Sequence, residues 1–195
     1  MEIHGANGYL IDQFLQDNAN RRTDGYGGPV ENRARFLLEV VEAVTSVWGA
    51  GQVGVRLGPG NTFGDMGDSH PEVTFPYVAK TLSRFGLAYL HVIEPRVKGN
   101  VSDDSRPPVA AGALRPLFGG PVIAAGGFDG PGAEAILEKG NADLVAFGRS
   151  FLANPDLPER LRRKLPLNAY NRDTFYYGGE AGYADYPFYE GRVVA

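Results

Sequence analysis

Apolar positions along this chain follow two different spacings. Between Val30 and Trp48, Phe36, Leu37, Val40, Val41 and Val44 recur every three or four residues. That spacing predicts an amphipathic helix, stopped by Gly49 and Gly51. Shorter apolar runs read as strands: Glu2–His4 as the tail of one, then Val53–Leu57, Leu87–Ile93, Val122–Ala125 and Leu144–Phe147. Glycine or proline follows each of the last four. Helices are predicted over Pro71–Phe85, where Pro76 weakens the first turns, and over Val109–Leu117, Gly132–Lys139 and Asn154–Arg163. A long irregular loop follows the first strand and ends near Gly27-Gly28-Pro29. The tail from Pro166, rich in Tyr, Pro and Gly, reads as irregular chain laid on the body. Strand and helix alternate, which predicts a parallel sheet. One strand end and four strands cannot close a (β/α)₈ barrel, which needs about eight. An open parallel half would leave two sheet edges and an apolar face uncovered.

Composition narrows the function classes. The 195 residues, 43% hydrophobic with a formal charge of −4, are read as one partial domain over 1–195. That charge argues against nucleic-acid and membrane-surface partners. With no cysteine, the chain offers no disulfide, thiolate nucleophile, zinc–thiolate site or cysteine-held iron–sulfur cluster. No metal site is expected. No apolar run reaches the roughly 20 residues of a membrane span, and the N-terminus has no signal-peptide pattern, so a cytoplasmic location is expected. The sequon Asn100-Val101-Ser102 carries no weight without a secretion signal.

Two successive strands run into glycine: Val122-Ile123-Ala124-Ala125-Gly126-Gly127-Phe128 and Leu144-Val145-Ala146-Phe147-Gly148-Arg149. Glycine lets backbone N–H groups approach an anion, a following helix N-terminus adds a favourable dipole, and Arg149 adds a charged fork. Tight turns alone would also account for the glycines, but two in succession with an arginine favour phosphate. Arg56 lies in an otherwise apolar strand and needs a negative partner. Either an internal carboxylate, Glu94 or Glu2, or an anionic ligand would serve. His4 and Asn7 can both donate to one oxygen, and Tyr9 can deliver a proton; equally, His4 could be a satisfied core residue, Asn7 a turn former and Tyr9 a packing aromatic. The charged run Asn20–Gly28 with Glu31–Arg35 reads as loop residues pairing among themselves. Tyr183 is open between packing and function.

Taken together, the segments Glu2-Ile3-His4-Gly5-Ala6-Asn7-Gly8-Tyr9-Leu10, Asn20–Gly28, Glu31-Asn32-Arg33, Val53–Leu57, His91–Pro95 and Asn154–Leu157 resemble the Old Yellow Enzyme family of flavin-dependent ene-reductases, from Glu2 to about Tyr189. The resemblance implies the C-terminal half of a (β/α)₈ TIM barrel, from the end of strand four through strand eight plus the C-terminal helix and tail. It implies FMN as cofactor, NAD(P)H as reductant and an activated alkene as substrate. On it, His4 and Asn7 bind the substrate's carbonyl or nitro oxygen, Tyr9 is the proton donor, and Arg56 sits at the flavin N1/O2 edge. Ala125, Gly126, Gly127, Phe128, Phe147, Gly148 and Arg149 hold the FMN phosphate, and Tyr183 lines the substrate pocket. Cysteine-bearing dienoyl-CoA reductase relatives fit poorly. A barrel isomerase or aldolase would need a strand-end base, for which Glu94 is the candidate. Strands one to three are expected from elsewhere, as a split enzyme, a permuted design or a truncated gene; a companion chain or self-association would then cover the open half. The competing expectation is a half-barrel that folds or self-associates without flavin chemistry.

Overall fold

The computed structural model describes residues 1–98, 101–102, 110–177 and 179–190. Asn100 of the sequon and Val109, the expected start of a helix, lie outside them. The chain divides into two units, Met1–Ala146 and Phe147–Ala195.

In the first unit five parallel strands form one sheet: β1 (Glu2–Gly5), β2 (Gly54–Leu57), β3 (Tyr89–Ile93), β6 (Val122–Ala125) and β7 (Leu144–Ala146), in the order β1-β2-β3-β6-β7. The order never reverses. With right-handed crossovers, the intervening helices therefore stack on one face, as in a barrel wall and unlike a doubly wound sheet. Those helices are α2 (Val30–Trp48), α3 (Pro71–Leu82), the short α4 (Ala110–Leu114) and α5 (Gly130–Glu138). Burial follows the strand period of two. Ile3, Val55, Leu57, Leu90, Val92, Val122 and Ala124 are buried on the helix side. The opposite face carries Glu2, His4, Arg56, Tyr89 and His91. Gly54 is explained there: a Cβ would stand 2.2 Å from the Tyr89 ring, which lies across it.

Four short α-helices and strands escaped the sequence reading. The loop after β1 contains α1 (Leu10–Leu15), the residues after β3 pair as the two-residue strands β4 (Val97–Lys98) and β5 (Val101–Ser102), and α6 (Arg149–Ala153) precedes α7 (Leu157–Arg163) in the second unit. All are shorter than two helical turns or a normal strand, too short to show a period. Asn154, expected in a helix, instead takes a bonding role: its Nδ2 donates to the Ser150 carbonyl and its Oδ1 accepts from Asn168 N–H.

The charged loop pairs within itself and with α2, as its sequence suggested. Asn20 Nδ2 donates to the Phe14 and Tyr26 carbonyls, and Arg22 pairs with Asp24. Buried Arg33 donates to the Leu15 carbonyl, to Thr74 Oγ1 and to Asp68. No helix among the described residues is long and apolar enough to cross a membrane.

Candidate functional site

In register across the sheet, His4 stands beside Arg56, and Arg56 beside His91. All three side chains leave the same face near the C-terminal ends of parallel strands. Inward positions of a barrel sheet are ordinarily filled by Val, Ile or Leu, and its chemistry gathers at the strands' C-terminal ends. Three nitrogen-rich side chains in adjacent register mark this as the candidate functional row. Arg56 Nε is buried without a hydrogen-bond partner, and so is His91 Nε2. Among the described residues Arg56 forms no ion pair. Neither internal carboxylate is hydrogen-bonded to it: Glu2, whose charge favours the Arg56 cation from nearby, has its Oε2 2.9 Å from His91 Nδ1, and Glu94 accepts the Ala110 and Ala111 N–H groups at 2.8 and 2.9 Å. A half-buried guanidinium whose buried Nε has no protein acceptor calls for one supplied by a ligand.

The segment after β1 is held more tightly than a loop. Tyr9 N–H donates to the Ala6 carbonyl at 3.2 Å, closing a turn whose two central residues, Asn7 (φ 58°) and Gly8 (φ 76°), are both left-handed. Asn-Gly is the pair such a turn prefers. Three side chains clamp it. Asp12 Oδ2 accepts Gly8 N–H at 3.0 Å, Gln13 Nε2 donates to the Gly8 carbonyl at 2.6 Å, and Asn61 Nδ2 donates to Asn7 Oδ1 at 3.1 Å. Tyr9 then starts α1 with its side chain 64% exposed, its ring 5.3 Å from the His4 ring. The structure thus brings His4, Asn7, Tyr9 and Arg56 into one unit, in neighbouring positions. Asn7 is both a turn former and an anchored amide.

Burial, and after it the Arg56 guanidinium, lowers the His4 pKa from its ordinary 6.5; Glu2 opposes weakly. His91 is lowered as well, by burial first, against the raising hydrogen bond from Glu2. Burial also lowers Arg56 and raises Asp12. The two imidazoles are therefore neutral at pH 7, each able to donate through one nitrogen only. Their folded values lie below the unfolded one. Their contribution to stability is then complete above pH 6.5 and is lost as pH falls below it, because the unfolded chain takes up protons first. Depressed carboxylates such as Asp17 lose their contribution at lower pH, below the unfolded value of 3.8. The urea midpoint should therefore fall between pH 7 and pH 5, and His4→Gln with His91→Gln should flatten that slope. An unchanged slope in the double variant would show that neither histidine carries it.

The glycine turns behave differently from one another. Gly126 (φ 115°) and Gly127 (φ 66°) hold backbone conformations that other residues rarely adopt. A Cβ on Gly126 would press to 3.2 Å on Glu94 and Val97. These two glycines have a structural cause whatever they bind. The N-terminus of α5 is already capped, since Asp129 Oδ1 accepts Gly132 N–H at 2.8 Å. The dipole expected there is thus partly used. Phe128 is buried under the Arg96 guanidinium, 4.6 Å from its ring. In the second unit Gly148 is exposed with open space where a Cβ would stand, and Arg149 lies 5.6 Å from the Tyr170 ring. Tyr183 is exposed in the same unit. Glu94 is bound to two backbone donors at the start of α4, the work of a structural carboxylate rather than of a base.

Sequence reasoning missed Asp12, Asn61 and His91. His91 had a signal: like His4 and Arg56 it is a polar residue just short of a strand's end. Asn61 had none, because 54 residues separate it from the amide it holds.

A profile of the NADH:flavin oxidoreductase / NADH oxidase family matches residues 1–168. 12-Oxophytodienoate reductase 2 of Arabidopsis thaliana is 47% identical over 193 residues, 97% of this chain and 51% of its own length. 12-Oxophytodienoate reductase 1 of Oryza sativa subsp. japonica is 48% identical over 194 residues, 97% of this chain and 50% of its own. Among solved structures, morphinone reductase in complex with tetrahydroNAD superposes with a TM-score of 0.88 at 48% identity, over 97% of this chain and 50% of that one. The Old Yellow Enzyme homologue from Zymomonas mobilis gives 0.89 at 41% identity, over 95% and 52%. The chain spans about half the length of the relatives it matches.

Proposed function

The chain belongs to the NADH:flavin oxidoreductase / NADH oxidase family, the Old Yellow Enzyme group, and on that footing we propose that it carries the substrate-polarising and proton-donating residues of an FMN-dependent ene-reductase. The substrates are activated alkenes, α,β-unsaturated carbonyl or nitro compounds, with NAD(P)H as reductant. The observation that carries this reading is the His4–Arg56–His91 row with the buried, unpartnered Arg56 Nε. A donor without an acceptor fits the electronegative N1/O2 edge of a flavin.

FMN, when bound, would supply the hydride-transfer chemistry that links the nicotinamide to the alkene. His4 and Asn7 donate hydrogen bonds to the carbonyl or nitro oxygen, where negative charge gathers. One such donor is worth about 2.7–4 kcal/mol of barrier. Tyr9 gives its proton to the α-carbon, a general-acid role open to a phenol. Arg56 favours negative charge on the flavin's edge. The turns at Ala125-Gly126-Gly127-Phe128 and Phe147-Gly148-Arg149 are assigned to the FMN phosphate, and Tyr183 to the substrate pocket, on sequence resemblance. A complementary set of strands, from a companion chain or a second copy, pairs with the free edges of β1 and β7 and covers the polar face.

The test is to purify the chain alone and mixed with the N-terminal half of a full-length relative, then measure flavin absorbance and NAD(P)H oxidation with a cyclic enone. Bound flavin and enone-dependent turnover in the mixture are expected. Flavin bound without turnover would favour the non-catalytic half-barrel. No flavin in either sample would defeat the reading.

A further inference from the structure

We propose that Asn61 is a positioning residue: it fixes which end of the Asn7 side chain faces outward, and so makes Asn7 a donor. This deepens the function proposed above and rests on it for the direction in which Asn7 acts.

Phe63 N–H is a backbone donor and lies 2.9 Å from Asn61 Oδ1. An amide nitrogen cannot accept that hydrogen, so the atom facing Phe63 is oxygen. The other end of Asn61 is therefore its NH₂ group, which meets Asn7 at 3.1 Å. An NH₂ group only donates, so the Asn7 atom it meets is Oδ1. Asn7 Nδ2 is left outward, and among the described residues no protein acceptor takes it. One backbone N–H thus sets the orientation of two amides in series.

The arrangement is rigid. Asn61 is 1% exposed, and its own N–H donates to the Gly58 carbonyl at 3.2 Å. Gly58 is packed against Asn61 and Ala6: a Cβ there would stand 3.5 Å from the Asn61 Cβ and 3.3 Å from the Ala6 Cβ. On the other side the backbone of Gly8, next to Asn7 in the turn, is held by the Asp12 and Gln13 clamps. A free asparagine amide can flip, presenting either a donor or an acceptor. Toward an oxygen that gains negative charge, a donor stabilises and an acceptor repels.

A purely local role for Asn61 is the Asx turn made by its Oδ1 and Phe63 N–H. Aspartate keeps that turn and removes only the NH₂ group. Asn61→Asp places a carboxylate against Asn7, which then turns its NH₂ inward and its carbonyl toward the substrate. Asn61→Ala breaks the turn and leaves the Asn7 amide free to rotate.

In the flavin-loaded enzyme, Asn61→Asp should lower kcat for enone reduction by about 10²–10³-fold, the loss of one donor. Asn61→Ala should lower it by less. In an Asn7→Ala background, Asn61→Asp should cost nothing further. An Ala variant worse than the Asp variant, or an undiminished Asp effect without Asn7, would overturn the proposal. A readout independent of flavin is the side-chain NH₂ resonance of Asn61 in ¹⁵N-labelled protein. Asn7→Ala should shift it clearly. A resonance that stays in place overturns the Asn61–Asn7 bond whatever the activity. Absent enone turnover in the wild type with that shift present defeats the proposed function and leaves the orientation standing.

Discussion

Replacing Tyr9 by Phe should slow alkene reduction by about 10²–10⁴-fold, the usual worth of a positioned general acid, while reduction of the bound flavin by NAD(P)H proceeds at close to its normal rate. The asymmetry follows from where the proton is needed. The α-carbon of the alkene must receive one; the nicotinamide step needs none from this side chain. The substitution is also structurally mild. Tyr9 is largely exposed, and among the described residues its hydroxyl has no protein partner. Its backbone does the local work, closing the turn to Ala6 and accepting from Gln13 N–H at 3.0 Å as α1 begins. Removing one oxygen leaves both bonds and the ring's contact with His4 in place. Rapid mixing separates the two half-reactions. Equal slowing of both would remove Tyr9 from the role of acid and point to altered binding.

The largest effect on stability is expected in the second unit, at Arg160. Its Nε donates to Asp156 Oδ1 at 2.7 Å, with side chains only 3% and 1% exposed. Nη1 donates to the Pro166 carbonyl at 2.8 Å and to Asn168 Oδ1 at 3.2 Å, and Nη2 to the Pro187 carbonyl at 2.9 Å. Asp156 Oδ2 accepts Tyr189 N–H at 2.9 Å. One buried pair therefore ties α7 to two separate stretches of an otherwise irregular tail. Arg160→Met keeps the aliphatic bulk but strands a buried carboxylate and two acceptors, the Pro166 carbonyl and Asn168 Oδ1, while the Pro187 carbonyl keeps its bond from Asn168 Nδ2. Breaking such a pair from one side costs about 3–5 kcal/mol. Replacing both partners, as Asp156→Leu with Arg160→Met, should cost less than the single change, since no lone charge is then buried. Urea unfolding of the three proteins, with limited proteolysis of the tail, measures this. A single variant within about 1 kcal/mol of the parent would mean that the tail is held by other contacts.

Much of the site was legible because it is local. Glu2–Tyr9 holds three candidate groups within one strand end and one turn, and Asn-Gly announces that turn by itself. The same holds for α2, whose bounds matched its 3.6-residue period from Val30 to Trp48. Arg56 stood out as a cation in an apolar strand, but only the fold showed that Glu2 bonds His91 and Glu94 caps α4, while neither bonds Arg56. The glycine turns were ambiguous for a related reason: positive φ at Gly126 and Gly127 requires glycine with or without an anion.

The order of apolar and polar residues alone determined the strand–helix alternation and the parallel sheet, because each depends on neighbours within a few positions; His4, Asn7, Tyr9 and Arg56 were singled out as a candidate set by the family resemblance. Tertiary structure alone decided which residues hold that set. Asn61 reaches Asn7 across 54 positions, and Glu2 reaches His91 across 89. No local pattern encodes a hydrogen bond between distant segments, since strand register and loop closure create the proximity only once the sheet has formed.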